Sequence, residues 1–248
     1  MRPYIFGPCN GIHIIDLVQT QHRLQEACDY LRNAAHERKN IVFVGTKRQA
    51  AEIVEQEAGR CRSYFVNRRW LGGTLTNSDT IRLRINRLNE LDLMRDTGEF
   101  YRRPKKELAK LNRELVKLEK SLGGMKRMRG RPDVLIIVDQ TRESIAVREA
   151  LKIGCTTLGI IDTNCNPDGI DFVIPANDDS RRSIGLITRL LADAVLGDDE
   201  GSSEDDDDPD GPDIHPSRVP KRPMPNGREE QAVLSMPDFG SGDHDSDN

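Results

Sequence analysis

The sequence of 248 residues lacks the features that mark membrane proteins and disulfide-rich secreted proteins. No apolar run approaches the ~18 residues that a membrane-spanning helix needs. The five cysteines form no C-x-x-C pair, which disfavours both a zinc knuckle and a disulfide scaffold. The amino-terminal stretch MRPYIFGPCNG has neither the basic start nor the apolar segment of a signal peptide. We therefore expect an intracellular protein in a reducing compartment, with no membrane association.

Signatures of catalysis are missing as well. The sequence contains no G-x-S-x-G, no G-x-G-x-x-G and no complete P-loop. No histidine and cysteine stand at a spacing that suggests a nucleophile and its base, and no pair of carboxylates forms a recognisable catalytic signature. We therefore expect a protein that is not an enzyme.

The charges are segregated along the chain, although the net charge is only −4. Residues 198–248 contain 16 acidic and 4 basic residues, whereas residues 1–197 contain 25 acidic and 33 basic ones. The acidic segment has no apolar periodicity and is rich in Asp, Pro and Gly, which predicts a disordered tail. A basic body with an acidic tail suggests that the body binds a polyanion.

Short apolar runs alternate with amphipathic segments of helical length in the body. The runs predicted as buried strands are residues 41–44, 64–66, 134–138, 157–161 and 172–174. The segments predicted as helices are residues 17–35, 48–58, 142–152 and 180–196. Strands joined by crossover helices predict an α/β fold with a doubly wound, flavodoxin-like parallel sheet, formed by residues 1–78 and 125–197.

Residues 79–124 depart from this alternation. Two helical segments, residues 80–95 and 105–122, follow each other without a strand between them. In the second, leucines recur three and four residues apart, at Leu108, Leu111, Leu115, Leu118 and Leu122. We therefore predict an inserted antiparallel coiled-coil hairpin, closed by a Gly-Gly pair. Its charged flanks are either solvated faces or an RNA contact.

Polar residues follow the predicted strands, at the sheet edge where ligands bind in this fold class. Gly45-Thr46-Lys47-Arg48 precedes a helix and suits a phosphate or an RNA backbone, although a structural turn explains it equally well. Asp162, Asp178 and Asp179 are candidate ligands for zinc or magnesium. The alternative is that these aspartates cap the last helix, at Asp178 or Asp179, and form hydrogen bonds within turns.

The stretch FVNRRWLGGTLTN, residues 65–77, holds two arginines beside the only tryptophan and a glycine pair. Arg68 and Arg69 offer planar donors that suit phosphate, and Trp70 offers a flat face for packing or stacking. The competing interpretation is a buried tryptophan that closes a turn, with two solvated arginines beside it.

Five stretches carry a family resemblance: the one above, VGTKRQA (44–50), NGIHIIDLVQT (10–20), SLGG (121–124) and DTNCNPDGIDFVIPANDD (162–179). In this order they resemble the small-ribosomal-subunit protein S-two family of bacteria and organelles, over residues 1–196. The resemblance implies a structural constituent of the small ribosomal subunit, bound to rRNA and to neighbouring ribosomal proteins. It implies a location in the bacterial cytoplasm, with the plastid stroma as the alternative, and no required cofactor.

The resemblance also bears on individual residues. With charge and position, it makes nine residues candidates for the rRNA interface, with Trp70 as the platform of its loop: Lys47, Arg48, Arg68, Arg69, Trp70, Arg82, Arg84, Lys126 and Arg127. It implies a metal at Asp162, Asp178 and Asp179, near a docking site for the mRNA-binding ribosomal protein S-one. The family's upstream His-Phe-Gly-His block, which is implied to contribute a histidine there, is not in this sequence. We therefore expect Met1 to match an internal methionine of the family.

One hypothesis of another class competes with this one. A nucleotide- or phosphosugar-binding enzyme or sensor would use the same sheet edge, because the α/β fold hosts many such proteins. The acidic group of Asp139, Asp162, Asp178 and Asp179 would then hold a metal-nucleotide. The missing glycine fingerprint and the missing catalytic base disfavour this alternative.

Overall fold

The computed structural model describes residues 1–9 and 11–197. Five parallel strands form the central sheet: β3 (Ile41–Val44), β4 (Tyr64–Val66), β5 (Val134–Val138), β6 (Thr156–Ile161) and β7 (Phe172–Pro175). Their order is β4-β3-β5-β6-β7. This is the flavodoxin-like order, which confirms the predicted α/β fold. Every residue of β3 and β5 is buried, as expected for parallel strands that helices cover on both faces.

An antiparallel hairpin precedes the sheet, and its pairing was not predicted. Its strands are β1 (Ile5–Cys9) and β2 (Ile12–Ile15), and their register shifts between Ile5 and Gly7. Gly7 and Pro8 interrupt the apolar pattern of β1, whereas the apolar run of β2 favours a packed strand at His13; the structure has the strand, but His13 is exposed. Most residues of both strands are exposed, including Phe6 and Ile12.

Six α-helices lie among the described residues: α1 (Leu17–His36), α2 (Arg48–Arg60), α3 (Ser78–Asp96), α4 (Lys105–Leu122), α5 (Ser144–Ile153) and α6 (Arg181–Leu196). Their bounds agree with the predicted segments to within two residues. Short 3-10 turns follow α3, at Glu99–Arg102, and α4, at Gly123–Met125. Across the described chain, no helix combines the length and apolar character that a membrane span requires.

The two faces of the sheet carry two hydrophobic clusters. One joins Val42 and Ile137 to the buried stripes of α3, α4 and α5. The other joins Phe43 and Ile136 to the buried stripes of α1, α2 and α6. Alternate residues of one strand thus face opposite clusters, which is the pattern of a doubly wound sheet.

The two helices of the predicted insertion pack on the first cluster. Arg87 of α3 forms an ion pair with Glu114 of α4, at 3.1 Å from Nε to Oε1. The turn after α4 lies tightly against β4, since a Cβ on Gly124 would come 2.2 Å from the carbonyl oxygen of Phe65. The coiled-coil pairing remains a prediction, and the predicted tail, residues 198–248, lies outside the described residues.

The start of α6 corrects one expectation. Neither Asp178 nor Asp179 caps the helix, because the N-cap residue is Ser180 and its side chain makes no capping hydrogen bond. Instead, the side-chain oxygen of Asn177 accepts hydrogen bonds from the backbone N–H groups of Asp179 and Ser180, at 3.0 and 2.7 Å. Asn177 therefore shapes the turn, and the carboxylates are left for other contacts.

Candidate nucleic-acid interface

The carboxyl ends of β3 and β5 form the point where the strand order reverses, which is the usual ligand site of this fold class. Here it is occupied by the side chain of Lys47, which follows β3. Its Nζ lies 2.7 Å from Asp178, 2.6 Å from Asp179 and 3.4 Å from Asp139. Burial alone would lower the pKa of Lys47, but hydrogen bonds to Asp178 and Asp179 raise it above its ordinary value. The lysine is therefore a fixed cation that the chain itself neutralises.

The hydroxyl of the same turn is also used internally. The backbone N–H of Thr46 donates to Oε1 of Glu143 at 2.9 Å, and Nε of Arg142 donates to the Thr46 hydroxyl at 3.0 Å. Burial raises the pKa of the Glu143 carboxyl, although its hydrogen bonds from Thr46 oppose the shift. The turn that resembled a phosphate site thus binds carboxylates of its own chain.

The loop of residues 67–77 has two exposed arginines and a buried anchor. Arg68 and Arg69 are exposed at the end of β4. Trp70 is only 5% exposed and belongs to the hydrophobic cluster formed with α3, α4 and α5. The tryptophan therefore packs inside the protein and is not available to stack on a base, so its role is to hold the loop.

Glu149 of α5 holds the far end of this loop and escaped the sequence analysis. Its buried carboxylate accepts backbone hydrogen bonds from Gly73 at 2.7 Å, from Leu75 at 2.9 Å and from Thr76 at 3.3 Å. Gly73 has a φ of +90°, which glycine adopts without strain. One sequence signal pointed to this role: Glu149 lies three residues after Ala146, on the apolar face of α5.

The remaining basic candidates divide into two groups. Four arginines are exposed: Arg48 at the start of α2, Arg82 and Arg84 on α3, and Arg127 after α4. Lys126 instead forms an ion pair with the buried carboxylate of Asp92. The structure therefore places Arg48, Arg68, Arg69, Arg82, Arg84 and Arg127 where a polyanion can reach them, and turns Lys47 and Lys126 toward internal carboxylates.

The three aspartates proposed as metal ligands do converge. One carboxylate oxygen from each of Asp162, Asp178 and Asp179 lies within 4.8 Å of the others. Oδ2 of Asp178 is buried and has no hydrogen-bond partner in the described part of the chain. These oxygen donors fit a hard divalent cation, but Lys47 already supplies one positive charge to the same group.

Comparison with known proteins identifies the family. The family model described as ribosomal protein S2 matches residues 1–197. The chain belongs to the ribosomal protein S2 family. It is therefore a structural constituent of the small ribosomal subunit, bound to the ribosome, and not an enzyme; small-subunit rRNA and other small-subunit proteins are its partners. Nothing in the comparisons favours a nucleotide-binding enzyme or sensor.

Named relatives agree with this assignment. The small ribosomal subunit protein uS2 of Crocosphaera subtropica is 53% identical over 84% of this chain and 77% of the relative. The uS2 protein of Thermosynechococcus vestitus is 55% identical over 83% of this chain and 78% of the relative. The uS2c protein of Guillardia theta is 52% identical over 82% of this chain and 88% of the relative. The predicted resemblance is thus confirmed over the whole α/β body.

Proposed function

We propose that this ribosomal protein holds small-subunit rRNA chiefly through Arg68 and Arg69. The observation that carries the proposal is the anchoring of their loop at both ends. Trp70 buries its ring in the core directly after Arg69, and Glu149 accepts three backbone hydrogen bonds further along. Arginines on a fixed loop lose less conformational freedom when they bind phosphate, which strengthens binding. Arg48, Arg82, Arg84 and Arg127 are proposed as further phosphate partners.

Lys47 and Lys126 have a different role in this proposal. Each already contacts a buried carboxylate, Asp178 for Lys47 and Asp92 for Lys126. Moving the Lys47 ammonium to an RNA phosphate would leave the Asp178 carboxylate buried without a positive partner, and moving that of Lys126 would leave Asp92 paired with Arg95 alone, so both moves are costly. We assign both lysines to the stability of the protein. Their contribution to RNA binding is then only a longer-range positive field.

The architecture beyond the sheet supports a second part of the proposal. We propose residues 1–78 and 125–197 as the body, residues 79–124 as a coiled-coil hairpin that braces the particle, and residues 198–248 as a disordered acidic tail. The buried stripe of α4, with Leu111 and Leu115, supports the pairing of the hairpin helices. We further propose residence in the bacterial cytoplasm, with the plastid stroma as the alternative that the uS2c relatives favour.

Asp162, Asp178 and Asp179 support a metal site within the same proposal. The unpartnered Oδ2 of Asp178 offers a donor atom, and a zinc or magnesium ion would supply positive charge that one lysine does not fully provide. We propose that such a site stabilises this edge for docking of the mRNA-binding protein S-one. Titration calorimetry with zinc and with magnesium tests it: Asp162→Asn should weaken binding, and equal binding by both proteins excludes Asp162 as a ligand.

The rRNA contact of the loop is tested with a double variant. Arg68→Ala with Arg69→Ala should flatten the plot of log affinity against log salt by roughly 1.4 to 1.8, because each phosphate contact contributes about 0.7 to 0.9. The matched control, Arg182→Ala with Arg189→Ala, removes the same charge from exposed positions on α6, which packs on the opposite face of the sheet. An equal change in both variants would show general electrostatics and no contact by the loop.

A further inference from the structure

A groove of about 930 Å³ runs between α3 and the segment of residues 126–132. The side chains that line it include five basic ones and one acidic one, Asp79. Residues 1–197 have an excess of eight positive charges, so about half of that excess lines one groove. Asp79 pairs with Arg82 and Asp92 pairs with Lys126, but the concentration of basic side chains still favours an anionic ligand.

We propose that this groove binds a single RNA strand, with phosphates on the guanidinium groups of Arg82, Arg127 and Arg131 and with the amides of Asn86 and Asn89 on riboses or base edges. The proposal deepens the proposed rRNA contact and rests on it. It adds three residues, Asn86, Asn89 and Arg131, that the sequence had not indicated.

Two arginines of the groove, Arg82 and Arg131, have weak ties to their own chain. Arg82 pairs with Asp79 at 3.0 Å, but both side chains are more than 70% exposed. A pair of this kind contributes little and gives way readily to a phosphate. Nε of Arg131 donates to the hydroxyl of Ser78 at 3.1 Å, which fixes the side chain and uses only one of its five N–H donors.

Crowding of positive charge supports an anionic occupant. Burial lowers the pKa of Lys126, and the neighbouring charge of Arg127 lowers it further. Asp92 pairs with Lys126 and therefore does not offset the charge of Arg127. A phosphate beside Arg127 would relieve this repulsion.

The opposite wall of the groove carries the chemistry that distinguishes RNA from other polyanions. Arg82, Asn86 and Asn89 follow each other at spacings of four and three residues, so they lie on one face of α3. Both asparagines are exposed. A side-chain amide both donates and accepts, which suits the ribose 2′-hydroxyl that DNA lacks. Thr74, from the anchored loop, also lines the groove, so the two proposed contact regions adjoin.

The test uses the full chain and two fluorescent oligonucleotides of one mixed sequence, a single-stranded RNA and the matching DNA, in anisotropy titrations over a series of salt concentrations. Arg82→Glu with Arg127→Glu should weaken RNA binding by about tenfold or more and lower the salt slope by roughly 1.4. The matched control, Arg182→Glu with Arg189→Glu, changes the net charge equally on α6 and should have a much smaller effect. Equal losses in the two variants would overturn the proposal.

The asparagines provide a second readout that net charge does not move. Asn86→Ala with Asn89→Ala should weaken RNA binding several-fold and leave DNA binding unchanged. Equal effects on RNA and DNA, or none, would overturn the assignment of these amides.

If the loop variant Arg68→Ala with Arg69→Ala binds RNA normally while the groove variants fail, the loop proposal is wrong and the groove stands. If the loop variant fails and the groove variants bind RNA normally, only the groove proposal is wrong. Unchanged thermal unfolding in each variant excludes misfolding as the cause.

Discussion

The Glu149 carboxylate and the backbone of Gly73 are joined by a 2.7 Å hydrogen bond, in which the Gly73 N–H donates to Oε1. The second carboxylate oxygen accepts from Leu75 and Thr76. One buried side chain of α5 therefore adds to the hydrogen bonds within the loop, in which the Thr74 N–H donates to Leu71 and the Asn77 N–H to Gly73. These contacts join α5 to the loop that also carries the exposed pair Arg68 and Arg69.

Replacing Glu149 should loosen the loop. Glu149→Ala leaves three backbone donors without their acceptor, and we expect a loss of about 2–5 kcal/mol in the free energy of unfolding. Glu149→Gln keeps one oxygen acceptor and should lose less. Amide hydrogen exchange should accelerate at Gly73, Leu75 and Thr76. The exposed Arg148 of the same helix, changed to Ala, is the control. Unchanged exchange in Glu149→Ala would mean that the loop is held by its own hydrogen bonds and by Trp70, without a contribution from Glu149.

Removal of the Lys47 ammonium should lower the free energy of unfolding, because it leaves buried carboxylates without a positive charge beside them. Lys47→Met leaves Asp178, with a side chain only 2% exposed, without its counter-ion, and we expect a loss of about 3–5 kcal/mol near neutral pH. Acidification should restore part of the stability, since protonation then removes the unpaired charge. In the unmodified protein the pKa of Lys47 is raised, so its contribution persists through neutral pH and is lost only in alkaline solution.

Urea unfolding at several pH values measures this effect. Lys152→Met, at an exposed position of α5, is the matched control. If both variants lose the same small amount at every pH, the cluster of Lys47 and the aspartates does not contribute to stability.

The pH dependence of Glu143 has a definite sign. Burial raises its pKa above the ordinary value of 4.5, so the folded state binds a proton more tightly than the unfolded state does. Its stabilising contribution is therefore present in acid and is lost as pH rises through the folded pKa. Glu143→Gln retains an oxygen for the hydrogen bonds from Thr46 and has no proton to lose. We expect the stability of the unmodified protein to fall relative to this variant as pH rises from 4.5 to neutrality.

The measurement is the difference in unfolding free energy between the two proteins across that range. Glu99→Gln, the same exchange at an exposed position, is the matched control. A constant difference between the unmodified protein and Glu143→Gln would show that the carboxyl has the same pKa in the folded and unfolded states.

The elements that could be predicted from the sequence are those with strong local patterns. The strands at residues 41–44, 64–66 and 134–138 have the predicted bounds, because each is a continuous apolar run ended by polar residues. The pairing of β1 with β2 was missed since Gly7 and Pro8 interrupt the apolar pattern of β1. The side-chain contacts could not be predicted for another reason: Lys47 and Asp178 are 131 residues apart, and no spacing rule relates them.

The same limit applies to the interface residues. Charge identified Arg68, Arg69, Arg82 and Arg127, all of which are exposed, but it also selected Lys47 and Lys126. Only the fold shows that these two lysines face carboxylates of their own chain. Glu149 carries the wrong charge for a nucleic-acid contact, so a search for basic residues passes over it.

The last prediction concerns the seam of α4. Leu115 is 6% exposed and belongs to the cluster that also contains Val42 and Ile137 of the sheet, whereas the next residue, Val116, is 52% exposed. Leu115→Ala should therefore lower the free energy of unfolding by about 2–4 kcal/mol through the lost packing and the cavity left behind. Val116→Ala, on the same turn of the helix, should change it by less than about 0.5 kcal/mol.

Amide hydrogen exchange then decides how far the effect of Leu115→Ala extends. If α3 and α4 form a separate hairpin, exchange should accelerate in these two helices and stay slow in β3 and β5. If they form one cooperative unit with the sheet, exchange should accelerate in all four elements by the same factor, since every amide in a cooperative unit opens with the same free energy. We expect the first result, because the hairpin helices follow each other without a strand between them. The second would make residues 79–124 part of the body.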